Sequence, residues 1–96
     1  MDREARPEER ASAIGAFQVL YPDAPSTGPE GARDRQSSYL HLIVCDTEYQ
    51  ALTILVGEAA ARRVLEAKPY YTWIYARVLR DPAVRATNVR YGFVVP

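Results

Sequence analysis

The residues with the most chemical capability in this chain are two that occur once each, His41 and Cys45, both in residues 38–45 (SYLHLIVC). An imidazole beside a thiol is the pairing that makes a thiolate nucleophile, provided the two side chains come within hydrogen-bond reach. The run alternates as a strand does. Leu40, Leu42 and Val44 share one face, and Tyr39, His41, Ile43 and Cys45 share the other. On a strand, four residues place His41 and Cys45 roughly 13 Å apart, at about 3.3 Å per residue. No proton passes over that distance, so Cys45 is expected to be a small buried hydrophobe. Tyr39 and His41 would at most wall a small-ligand or enzyme pocket.

Other chemistry is thinner. One His, one Cys and scattered acids fall short of the four ligands of a closed zinc site. Asp46, Glu48, Glu58, Glu66 and Asp81 stand where turns and a helix face are expected, which are ordinary places for acids. Gly28, Pro29 and Gly31 match neither a Walker A loop nor a GxGxxG turn, and no Lys-Ser or Lys-Thr follows them. A single Cys excludes an internal disulfide. No cofactor, metal or catalytic constellation is expected, and the chain reads as non-enzymatic.

A stronger signal lies in residues 68–96, which hold the only Trp, four of the seven Tyr and four of the Arg residues. Residues 70–80 are dense in aromatic and β-branched side chains, which suit a pleated surface. Alternation puts Thr72, Ile74, Ala76 and Val78 on a core face and Tyr71, Trp73, Tyr75 and Arg77 on the other. Residues 87–95 divide likewise, with Val89, Tyr91, Phe93 and Val95 inward and Arg90 outward. Two strands joined at Asp81-Pro82 would present Tyr71, Trp73, Tyr75, Arg77 and Arg90 together, with Arg80 and Arg85 nearby. Tyr, Trp and Arg dominate protein-interface hot spots, and rings stack nucleic-acid bases at about 1–3 kcal/mol each. Such a row can equally be cross-strand pairs that stabilise a sheet by about 0.2–1 kcal/mol each.

The elements that must position these residues follow from the rest of the chain. At 96 residues, with 48% hydrophobic and 25% charged side chains, one globular domain is expected. Residues 1–12 read as a flexible charged tail and residues 13–96 as the domain. Residues 13–21 form a first strand that stops at Pro22, and residues 23–37 form a long loop rich in Pro, Gly and Ser. Residues 38–45 and 49–56 make two more strands. Residues 58–68 (EAAARRVLEAK) make a helix ended by Pro69. Five strands with one helix between the third and fourth is the element order of an OB-type barrel or a curved antiparallel sheet. The alternative is a βαββ sandwich with one long helix over residues 47–67.

The formal net charge is zero, so the chain as a whole has no attraction for a polyanion. The halves differ, however. Residues 1–57 hold nine acids against five bases, and residues 58–96 hold three against seven. No apolar run has the length of a membrane span, and the start (MDREARPEER) is too charged for a signal peptide, so a cytoplasmic protein is the expectation. The function expected is a small binding or accessory protein that contacts a protein partner, or a second copy of itself, through the aromatic and Arg face. The alternative is a single-stranded DNA or RNA binder using the same face, with Arg side chains on the phosphates.

Overall fold

The computed structural model describes residues 7–25 and 34–95, and it is helical throughout. Five helices follow one another: α1 Pro7–Leu20, α2 Arg35–Val56, α3 Glu58–Glu66, α4 Thr72–Arg80 and α5 Pro82–Arg90. Among the described residues there is no strand, which overturns the OB-like barrel, the antiparallel sheet and the βαββ sandwich alike. The middle of the loop expected over residues 23–37, and the first residues of the expected tail, lie outside the described residues. Helix α1 already begins within that tail.

The starts of the helices have local causes. Pro7 opens α1, where its missing N–H costs nothing, and Glu8 and Glu9 face the positive end of the helix dipole. Asp34 caps α2, its carboxylate accepting from the Ser37 N–H at 2.7 Å. Asp81 does the same for α5 through the Ala83 N–H at 3.0 Å, with Pro82 in the first helical position. The Asp81-Pro82 pair that suggested a turn between strands is therefore a helix start.

Strand periodicity failed because it shares positions with the helical period. Ile74 and Val78 are four apart and fall on one face under either period, and both are buried. Tyr75 and Leu79 decide the matter. A strand would put them opposite Ile74 and Val78, yet they are buried beside them at 5% and 9% exposure. In residues 87–95 the expected inward residue Val89 is 52% exposed, while its neighbour Asn88 is wholly buried. The β-branched cluster in residues 53–56 is carried inside α2. Thr53 adapts by donating its hydroxyl to the Tyr49 carbonyl one turn back, at 2.8 Å.

Helix α2 is the centre of the fold and packs against each of the other four. Its buried positions, including Tyr39, Leu42, Ile43, Asp46 and Tyr49, recur at three- and four-residue steps. Phe17 from α1, Leu65 from α3, Ile74 from α4 and Val84 from α5 complete the core around it. Between α2 and α3 the chain turns at Gly57 alone, with φ 85° and ψ 161°. That positive φ is glycine's region, and a Cβ there would meet nothing within 4 Å, so backbone strain and not crowding selects the residue. The helix expected over residues 58–68 is borne out as α3.

Candidate functional site

With the fold helical, His41 and Cys45 become neighbours one turn apart on α2, closer than the 13 Å that a strand implied. His41 Nδ1 lies 2.7 Å from the Ser37 carbonyl oxygen. A carbonyl can only accept, so Nδ1 carries the proton. The imidazole packs at 4.7 Å, centroid to centroid, on the Tyr71 ring, and Tyr71 contacts Tyr70 and Tyr75 in turn. Tyr71 has a left-handed backbone (φ 54°), a conformation that costs a non-glycine residue about 1–2 kcal/mol. Its ring is held from three sides, which fixes it there.

This aromatic seam is closed chemically. Tyr75 donates to Glu48 Oε1 at 2.9 Å, and the Lys68 ammonium pairs with Glu48 Oε2 at 3.6 Å. Burial pushes the Tyr75 hydroxyl well above its ordinary range, with Cys45 and Glu48 adding to the effect. Burial also pushes the Cys45 thiol from 9.0 up to about 12; the hydrogen bond with Tyr75 is the largest opposing effect, and the weaker charge effects of Glu48 and Asp46 (raising) and Lys68 (lowering) come after it. A thiol so placed stays protonated and is a poor nucleophile. The seam fastens the start of α4 to α2.

The row expected to act as one surface is thus divided. Tyr71 and Tyr75 turn toward α2. Trp73 lies edge-on to Tyr21 at 5.5 Å, with the Arg77 guanidinium over its indole at 5.8 Å. Tyr21, just past α1, donates to Asp81 Oδ2, and Tyr39 donates to the Tyr21 carbonyl at 2.6 Å. Arg80 is exposed beside a small cleft of about 110 Å³ that Lys68 and Thr72 also line. Arg85 points inward and Arg90 lies on the outer side of α5. Sequence alternation brought these residues together, and the helix distributes them over separate faces.

Sequence reasoning passed over the most connected polar residue, Asp46. Its carboxylate is fully buried in mid-α2. It accepts from Arg85 Nε at 2.9 and 3.1 Å, from Asn88 Nδ2 at 2.9 Å and from Gln50 Nε2 at 3.0 Å. Gln50 passes the connection on, donating to the Phe93 carbonyl at 3.2 Å and accepting from the Val95 N–H at 2.8 Å. A buried carboxylate survives only when paired and bonded in this way. The available signal was an acid following directly on the apolar run LIVC (residues 42–45).

The opposite face of α5 forms, with α1, a surface of another character. Ala16, Val19 and Leu20 from α1 and Ala83, Ala86, Thr87 and Arg90 from α5 line a groove of about 430 Å³. Val19 is 83% exposed and Leu20 45% exposed at its wall. Alanines on both helices leave the floor shallow. Of the residues singled out in the sequence, only Arg90 lines this groove. It lies over the Tyr91 ring at 5.4 Å and makes no ion pair among the described residues. No group of His, Cys, Asp and Glu among the described residues could hold a metal ion, and no described helix is long and apolar enough to cross a membrane. Neither a family model, nor a curated protein, nor a solved structure matches this chain.

Proposed function

We propose that this chain is a small non-enzymatic binding protein that recognises another protein surface through the face shared by α1 and α5. The observation that carries this is the groove itself: an apolar hollow of about 430 Å³ walled by Val19 and Leu20, outside a core that is complete without them. Contiguous apolar surface of this kind marks contact sites more often than chance. A shallow groove between two helices suits a helix laid into it by its apolar face. Base stacking has no comparable support, because Tyr75 is 5% exposed and Tyr71 and Trp73 are engaged with His41 and Tyr21. The test is a photo-crosslinking amino acid placed at position 19, with exposed Ala59 on α3 as control. Crosslinks to protein are expected from position 19, lost when Ala86→Arg fills the hollow, and absent from position 59. Equal crosslinking from both positions overturns the proposal.

A further inference from the structure

We infer that the occupant of the α1–α5 groove is a second copy of this chain, related to the first by a two-fold axis through the groove. This rests on the α1–α5 face being the contact surface and names its partner. A two-fold contact needs one face to carry both halves of the fit, since the same patch meets itself. The groove does so in shape. Val19 and Leu20 project beside a floor of Ala16, Ala83 and Ala86, a ridge next to a hollow.

The face is also self-complementary in charge. Tyr21, just past α1, bonds Asp81, the cap of α5, so the C-terminal end of α1 meets the N-terminal end of α5. Exposed Asp23 follows that end of α1, and no basic residue stands in the last turn to offset the helix dipole. Arg77 acts on Asp81 there, but Asp23 makes no ion pair among the described residues. Arg90 closes α5 at its other end, eight residues on, about 12 Å along the helix axis. A two-fold axis through the middle exchanges the two ends. Each copy's Arg90 then faces the other copy's Asp23 and α1 terminus, so a cation and an acid that make no ion pair among the described residues meet, twice.

Sedimentation equilibrium on the full chain tests this. The wild type is expected to sediment at twice its 10.8 kDa mass. Arg90→Glu and Asp23→Lys should each weaken the pair at least about tenfold, because like charges then oppose each other at both ends. An equal mixture of the two variants should recover the dimer. In the mixed pair the two introduced charges, opposite in sign, face each other at one end, and the native Arg90 faces the native Asp23 at the other. Ala86→Arg should give a monomer with unchanged helical circular dichroism. A wild type that stays monomeric at every concentration overturns the inference, and so does a dimer indifferent to all three substitutions. A mixture that stays monomeric overturns it as well. A monomeric wild type that still crosslinks from position 19 to another protein overturns self-pairing and leaves the groove as a contact surface. A chain with neither dimer nor crosslink overturns both.

Discussion

The two faces of α5 reverse the usual arrangement of a surface helix. The face toward α2 carries, beside the core residue Val84, two polar side chains: Arg85 and Asn88 converge on buried Asp46. The face toward solvent is apolar: Ala83 and Ala86 floor the groove that Val19 walls. Buried polar groups stay folded only when bonded, and here the bonds are made. Exposed apolar groups need no such compensation, and the fold gains nothing from leaving them in water. The inner face therefore bears on stability and the outer face on the proposed association, and substitutions should separate the two.

The largest effect is expected from Asp46→Ala. It leaves the buried Asn88 amide and the half-buried Gln50 amide without their common acceptor, and each unsatisfied donor costs about 1–3 kcal/mol, so a loss of about 3–5 kcal/mol is expected. Urea unfolding followed by circular dichroism measures it. An Asp46→Ala chain as stable as wild type would mean that the inner face is not what secures α5. Arg85→Met should cost less, about 1–3 kcal/mol, because Asn88 and Gln50 still serve the carboxylate.

Cys45, on the same central helix, reports the integrity of the interior. Its thiol is raised from 9.0 to about 12 in the fold, so the protonated thiol favours the folded state. That contribution is complete below pH 9 and is lost as the pH rises toward 12. Stability should therefore fall across that alkaline window in wild type and fall less in Cys45→Ala. At neutral pH a thiol reagent should label Cys45 only as fast as the chain opens. Rapid labelling of the folded protein would contradict a closed seam.

Tyr21→Phe should cost about 0.5–1.5 kcal/mol by removing the hydroxyl that bonds Asp81. That bond, with the Ala83 N–H, holds the Asp81 carboxyl below its ordinary value, so its contribution is present above about pH 4 and lost as the pH falls through the lowered value. Acid unfolding of Tyr21→Phe should accordingly depend less on pH in that window. The smallest stability effect belongs to the outer face. Ala86→Arg should change unfolding by no more than about 0.5 kcal/mol while abolishing self-association. If it destabilised the monomer as Asp46→Ala does, the contrast between the faces would collapse.

The sequence was informative where punctuation and propensity agreed. The run EAAARRVLEAK, closed by Pro69, became α3. It misled where aromatic and β-branched density stood for strands. Residues 70–80 have the composition of a strand and the burial of a helix, because packing of Ile74, Tyr75, Val78 and Leu79 on α2 overrides local preference. The cap and proline at Asp81-Pro82 pointed to the right element but fit a turn as well. The candidate site suffered from the same error of period. His41 and Tyr71 were both singled out but not placed in contact, and only the crossing of α2 and α4 brings their rings to 4.7 Å. Asp46 could not be recognised as buried, since the partners that make burial tolerable come from about forty residues away. The groove was invisible for a related reason. Ala16 and Ala86 are ordinary alanines until α1 and α5 lie side by side.

Gly57 also fixes the dimensions of the molecule. Without a break there, residues 35–66 would make one rod about 48 Å long at 1.5 Å per residue. The described residues span 32 × 31 × 21 Å. A rod of that length cannot be enclosed by the four helices that surround α2. One backbone angle at the end of α2 thus decides between a flattened, folded-back body and a spike, and Gly57→Ala, which favours the helical angle, should appear in solution scattering as a rise in maximum dimension.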